Sequence, residues 1–549
     1  MAVAAFAAIG LLIGPAAAQE DLRPILTPPP PLDVPAELPD VKLQLNGIEL
    51  TGNSVFAEGD LKPLYSNLLQ QKIAIRQVYE IADRITQYYF EQGFVLARAV
   101  VPPQNVRGGV FSIEVQEGTV GEVEFAGTGA SAFAASAFGR SMSEKANADL
   151  PFRSSQLDRV LLLAQDVGAF DLEVYTNAQP SSDGMAQLVI QAMEKDRFEF
   201  DASSTWSGSK PVGPLLHDLR ASVRGLTGPE GLTSFSYSGS LPELDERVSF
   251  GFYHLQYLGG DGLSLTVQGG ISRSQPGSAT SATPAEHLHS DSDNYSIALS
   301  YPFLRTRETI VTGYTSLTYL DSMETSSIFD TVFKDKVRTL RGGLSYQYSG
   351  ERGSVSKVDA TITNGVDIFD ASQSGDILLS RTGANPTSGS ARVEVSHNER
   401  IGDRIGLMIA GLGQYGFASL LSSQECSIGG QTFGRAYRSS EAVGDHCATG
   451  TVELTHDLPG VETRVPFLST GAVYVFIEGG WVGNTDAATS AQLGDESLVS
   501  LGTGLRLQAS TLGNLDIGIG RKLWSSAEPR AGDDGDYRLL FSLRGHTSF

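Results

Sequence analysis

The sequence predicts a mainly β protein, a transmembrane antiparallel barrel of about 16 strands that follows two small α+β domains. Three observations predict it. From about residue 196 to the C-terminus, short segments alternate small polar residues with aliphatic or aromatic ones, split by glycine- and acid-rich turns. A strand with one face in lipid and the other in a polar lumen has this period of two. Residues 41–195 instead carry two successive runs of helix and strand spacing in one repeated order. Beyond the first residues, no uninterrupted apolar stretch approaches the ~20 residues that a spanning helix needs. Alternation alone also fits a soluble array of β-sandwiches, so the barrel reading draws on the two chain ends as well.

Composition narrows the function. The formal net charge of −23 over 549 residues excludes an electrostatic grip on nucleic acid. The 61 glycines favour tight turns over long helices, and two cysteines make no disulfide framework.

Residues 1–18 read as an export signal. Ala2 to Ile13 is apolar but too short to span a bilayer, Pro15 breaks it, and Ala16-Ala17-Ala18 offers a small-x-small cleavage site. The mature chain then begins at Gln19; the signal departs from pattern in lacking Lys or Arg at its start. Residues 19–40 form a linker whose Pro24, Pro28, Pro29, Pro30, Pro31, Pro35 and Pro39 impose an extended spacer.

The first domain is expected over 41–118. Leu43, Leu45 and Ile48 open a strand region, and Leu61–Leu69 and Ile75–Gly93 carry helical spacing. In the second helix Val78, Ile81, Ala82, Ile85 and Tyr89 share a face, and Gly93 suits a C-cap. Strands Val95–Val101 and Val110–Gln116 follow. The second domain, 119–195, repeats the order with a strand at Gly121–Phe125 and a helix at Ser154–Asp166. Its strands Leu172–Asn177 and Ala186–Met193 are joined by the Ser181–Gly184 turn.

The barrel is expected over 196–549. In ERVSFGFYHLQYLGG, Val248, Phe250, Phe252, His254 and Gln256 lie on one face and Ser249, Gly251, Tyr253, Leu255 and Tyr257 on the other. Gly259–Gly262 reads as a hairpin turn rather than a phosphate cradle. At the C-terminus Tyr537, Leu539, Phe541, Leu543, Gly545, Thr547 and Phe549 share a face. Tyr537, Phe541 and the terminal Phe549 resemble the signal by which bacterial outer-membrane barrels are recognised for assembly.

Enzyme chemistry finds no support. There is no G-x-S-x-G elbow, no H-E-x-x-H and no nucleotide-binding loop, so no catalytic residue and no cofactor are expected. Glu286, His287, His289, Asp291 and Asp293 fit no standard metal spacing; a solvated loop tip is expected there and no metal.

Several motifs carry a family resemblance. Pro103-Gln104, Gly109 and Glu117-Gly118 resemble the end of the first POTRA domain in two-partner secretion transporters of the ShlB/FhaC/HecB type. Gln156-Leu157-Asp158-Arg159, Gln179-Pro180 and Gly184 resemble their second POTRA domain. IGGQTFGRAYRSSEAVGDH, within 424–448, resembles the long loop that folds into the barrel. Arg435 and Tyr437 take the places of the motif's arginine and aromatic, Ala436 stands where its glycine would, and Gly444-Asp445 matches the pair downstream. Phe476-Ile477-Glu478-Gly479-Gly480 resembles the partner motif on the barrel wall, with Glu478 where Asp is usual. The family's N-terminal plug helix is not legible in the proline-rich 21–40.

The resemblance implies an outer-membrane transporter with periplasmic N-terminal domains. It captures an exported, unfolded exoprotein of adhesin or cytolysin type and conducts it outward; the alternative is an assembly or insertion factor of the same superfamily. The strand Val95–Val101 with the helix Ile75–Gln92 is the candidate docking edge, where an extended chain can add a strand, and Arg98, Val100 and Gln104 are the candidate client-binding residues. Arg435 is expected to reach Glu478 as a latch, with Tyr437, Phe476, Gly480, Gly444 and Asp445 around it. The other partners implied are outer-membrane lipid and, during biogenesis, the barrel-assembly machinery, with the chain a monomer. Cys426 and Cys447 fall in the inward loop, where they either pair across its base or stay separate thiols; sequence does not fix pairing.

Overall fold

The structure, a computed structural model, describes residues 32, 42–146, 151–176, 185–206, 215–241, 246–275, 288–328, 330–461, 468–485, 495–509, 513–526 and 535–549. The export signal, the linker apart from Leu32, Gln179-Pro180, the Ser181–Gly184 turn, Glu286 and His287 lie outside the described residues.

The N-terminal unit contains β1 (Lys42–Gln44), β2 (Gly47–Thr51), α1 (Glu58–Leu61), β3 (Lys72–Ala74), α2 (Ile75–Glu91), β4 (Arg98–Val100) and β5 (Val110–Gln116). Its sheet has the order β2-β5-β4, with β2 parallel and β4 antiparallel to β5, while β1 pairs with β3. Helix α2 forms because Val78, Ile81, Ala82, Ile85 and Tyr89 recur at helical spacing and are all buried against the sheet. Gln77 accepts the Ala74 N–H at 3.0 Å to cap its start, and Gly93, at φ 89°, lets the chain leave. The helix expected over Leu61–Leu69 is instead the single turn α1 followed by two 3₁₀ turns, Lys62–Leu64 and Ser66–Leu68. Pro63 ends α1, since it has no N–H for the Gly59 carbonyl four residues back and its ring crowds that carbonyl. β4 is also shorter than expected. Val95 and Leu96 pack against the core of the following unit, and Ala97 donates to the Phe94 carbonyl at 3.1 Å, a turn in place of extended chain.

The next unit contains β6 (Thr119–Ala126), α3 (Ala130–Ala135), α4 (Ala137–Ala146), α5 (Ser155–Val167), β7 (Phe170–Thr176) and β8 (Met185–Glu194), with sheet order β6-β8-β7. Helices α3 and α4 were not expected. Ser136, extended at ψ 162°, interrupts them, so their buried Phe133, Phe138 and Met142 show no single helical period.

From Phe198 the chain forms a closed antiparallel barrel of sixteen strands. The last, Tyr537–Ser548, pairs with the first, Phe198–Trp206, from Ser542↔Thr205 to Ser548↔Glu199, so the sheet has no open edge to leave in lipid. Alternation follows the expected phase: Phe250, Phe252, Ile297 and Leu344 are exposed on the outer wall. His289, Asp291 and Asp293 correct one expectation, because they lie in the strand Leu288–Arg305 and not at a loop tip. That strand and its neighbour Thr309–Ser326 run 18 residues each, longer than the roughly 9–11 a bilayer crossing uses, so their outer ends are polar.

Candidate functional site

Between the strands Ile405–Gly416 and His446–Asp457 the chain makes a long excursion. It leaves and returns through a short ladder, Cys426↔Gly444 to Ile428↔Ala442, and a disulfide joins Cys426 to Cys447. Ile428, Ala436, Tyr437 and Ala442 are buried with Val482 and Leu498 of the barrel wall, so the loop is packed in the lumen. Close approach needs missing side chains. A Cβ at Gly480 would lie 2.8 Å from Ile428 and 2.7 Å from the Ala448 carbonyl, and one at Gly429 would strike the Arg438 carbonyl.

The loop tip delivers Arg435 to two carboxylates. Its Nε donates to Glu478 at 3.0 Å and its Nη1 to Glu453 at 2.8 Å, while its backbone N–H also donates to Glu478. The guanidinium lies 3.6 Å from the Phe476 ring centroid. Both carboxylates are buried, and Ser500 donates a further bond to Glu478 at 3.1 Å. Glu453 in turn accepts from Arg506 at 2.5 Å, and Arg506 continues to Asp516 at 2.9 Å. Tyr437 donates its hydroxyl to the Val499 and Trp524 carbonyls, and Arg538 donates to the Tyr437 carbonyl. Ala436 faces Gly520, whose bare backbone leaves room for the extra methyl.

The loop's base is held from outside. Asp445, fully buried, accepts two bonds from Arg381 at 2.5 and 3.2 Å and the backbone N–H groups of Leu420 and Thr485. Arg381 also donates to Asn484 at 2.8 Å, so one guanidinium ties three outer loops together. Burial would raise the Asp445 carboxyl, but Arg381 and the two amides hold it below the usual range. Glu425, 3.2 Å from the same guanidinium, is pushed up to about 7 by burial, with Arg381 opposing and Asp445 adding to the rise. Gly444 lets this return pass against Gly483.

The periplasmic residues are placed differently. Arg98 and Val100 lie on β4 at the sheet edge, but the Ala99 N–H between them is already given to Thr86 at 2.9 Å. By alternation the Arg98 and Val100 N–H groups then face β5. Gln104 spends both ends of its amide on the Ser112 backbone, at 2.7 and 2.8 Å, covering β5 beyond the reach of β4. Asp158 and Arg159 dock α5 on the barrel, through Arg307 at 3.3 Å and the Pro302 carbonyl. Arg305 adds a two-pronged pair with Asp166, 2.8 Å on each side. At the C-terminus Tyr537 and Phe549 are exposed, Phe541 is half-buried, and Phe549 exchanges both backbone hydrogen bonds with Phe198 at 3.0 Å.

Sequence reasoning missed Glu453, Arg506, Arg381 and Arg538. Inward polar residues are the rule on a barrel strand, so strand phase alone does not single these out.

Comparison with known proteins is consistent across the chain. Residues 184–507 match the haemolysin secretion/activation protein family ShlB/FhaC/HecB, and residues 43–118 match the ShlB-type POTRA domain. The heme/hemopexin transporter protein HuxB of Haemophilus influenzae strain 86-028NP is 20% identical over 513 residues, covering 88% of this chain and 84% of that protein. Among solved structures, CdiB from Escherichia coli aligns with a TM-score of 0.69 at 15% identity, covering 94% of this chain and 92% of that one. BamA from Haemophilus ducreyi lacking POTRA domains 1–3 aligns at 0.58 and 13% identity, covering 92% and 100%. At these identities the two structures speak for the fold.

Proposed function

Since the chain belongs to the ShlB/FhaC/HecB haemolysin secretion/activation family and is an outer-membrane two-partner secretion transporter, we propose that the Arg435 loop is the latch of its conducting channel. The observation that carries this is the seat of Arg435 between buried Glu478 and Glu453 inside the closed barrel. Withdrawing the loop leaves two buried carboxylates short of a partner, so the seated state is held by more than surface contacts.

The partner is a secreted exoprotein, and an adhesin or cytolysin is the class we favour. It meets the periplasmic units in extended form, adding a strand at a sheet edge. Arg98 and Val100 would contribute side chains only, because the outward Ala99 N–H of β4 is spent on Thr86 and the added strand would pair at another edge. Gln104 would keep the neighbouring stretch of β5 closed. The assembly machinery would take up the nascent chain through the strand ending at Phe549, and the protein works as a monomer.

Removing this chain from its host tests the reading. Loss of one large exoprotein from the medium, with other outer-membrane proteins unchanged, supports the transporter. A general loss of outer-membrane proteins supports the assembly-factor alternative.

A further inference from the structure

The outer wall carries a groove lined by aromatic and aliphatic side chains. Cross-strand neighbours on the outward face form one row, Phe235, Phe252, Gly269, Tyr295, Tyr319 and Arg338, the last buried under the chain after Gly365. The rings pair on either side of the glycine, Phe235 with Phe252 at 5.5 Å and Tyr295 with Tyr319 at 6.1 Å. Gly269 leaves a trough between them, partly sheltered by the leaning Tyr295 ring, and Val267 and Ile297 continue it toward the periplasmic side. The groove as a whole, open along its lipid side, holds about 570 Å³, the size of a small-ligand site.

Its outer end is shaped by a loop. The strand Phe333–Ser349 outruns its neighbour Val355–Gly365, and the chain after Gly365 covers the surplus edge. Val366 donates to the Arg338 carbonyl at 2.8 Å and Ser372 to the Lys336 carbonyl at 2.9 Å. In this wrap Phe369 adopts φ 50°, rare for an aromatic residue, and its ring stays 69% exposed at the groove's rim. Phe369 also gives its carbonyl to Arg338, whose guanidinium sits 3.4 Å over the Tyr319 ring. Just outward of this aromatic level come Lys336, shared with Asp370, and the exposed Lys334.

We propose that this groove binds one acyl chain of a phosphorylated outer-leaflet lipid, whose headgroup meets Lys334 and Lys336. Three features choose that occupant. The wall faces hydrocarbon, so an apolar filler is a lipid chain. Tyrosines at a membrane boundary mark the headgroup level, and the cations lie immediately beyond them. An exposed phenyl held at an unfavourable backbone angle makes a roof that a bare wall does not need.

Native mass spectrometry of the full chain in detergent, with lipid A or phosphatidylethanolamine added separately, tests this. One retained lipid A and little phosphatidylethanolamine are expected for the wild type. Val267→Trp, which fills the trough, should reduce retention several-fold, and so should Phe369→Ser, a loop change that leaves the wall strands untouched. Lys334→Glu should lower lipid A retention and leave phosphatidylethanolamine unchanged. Val473→Trp, an outward residue away from the groove, should retain lipid A as the wild type does. Equal retention by Val267→Trp, Phe369→Ser and Val473→Trp, or equal retention of both lipids by the wild type, overturns the proposal.

Discussion

Glu453 lies 2.8 Å from Arg435, so the loop tip is held by a second carboxylate besides Glu478. One guanidinium spans two strands of the wall because its donors are spread in a planar fork. A lysine ammonium is a point charge and cannot reproduce the separated Nε and Nη1 donors that meet the two carboxylates. Arg435→Lys should therefore secrete well below the wild type, and Glu453→Gln should lose less than Glu478→Gln, because Glu478 accepts both the backbone N–H and the Nε of Arg435. Secretion by variants matched for outer-membrane level checks both orderings.

The disulfide spans a sequence separation of 21 and closes the loop's base. A closed loop of that size contributes about 3 kcal/mol by restricting the unfolded chain. Cys426→Ser with Cys447→Ser should lower the heat needed to unfold the barrel, read as loss of heat-modifiable mobility in gels. Treatment of the wild type with a membrane-permeant reductant should have the same effect.

Glu425 gives a pH dependence with a definite sign. Its folded value of about 7 lies above the roughly 4.3 of a free glutamate. The unfolded chain therefore releases this proton first, and stability falls as pH rises from about 4.3 to about 7, then levels off. Glu425→Gln should flatten that slope, matching the wild type at pH 4 and exceeding it at pH 8. Melting of the purified barrel across that range measures it; Arg381 and Asp445 stay paired in both proteins.

The pair Arg305–Asp166 fixes the second periplasmic unit to the barrel turns. Asp166→Arg places two cations together and should loosen that unit, seen as faster protease cleavage between residues 194 and 198. Exchanging both residues, Asp166→Arg with Arg305→Asp, should restore protection. The geometry is two-pronged and partly shielded, so the expected coupling is about 1 kcal/mol.

The legible parts were those set by local period. The buried face of α2 and the outward row of the last strand follow from spacing alone, as does β5. Helices α3 and α4 were hidden because Ser136 resets the period between them, and β4 was overread because Val95 and Leu96 answer to the neighbouring unit's core. In the lumen, the family motif pointed to Arg435 and Glu478. Glu453 and Arg381 reach their partners across 18 and 64 residues of sequence, where no local rule connects them. Asp158 and Arg159 matched a motif whose structural task, docking α5 on the barrel, the sequence did not disclose.

The central claim is that Arg435 and Glu478 act as one unit in secretion, and a double-mutant cycle tests it most directly. Exoprotein released to the medium is measured for Arg435→Ala, Glu478→Ala and the double variant, each present at wild-type level in the outer membrane. Residues in contact are expected to couple by about 0.5–3 kcal/mol, so each single variant should secrete poorly and the double variant little worse than either. Normal secretion by both single variants, or losses that simply multiply in the double variant, would contradict the account.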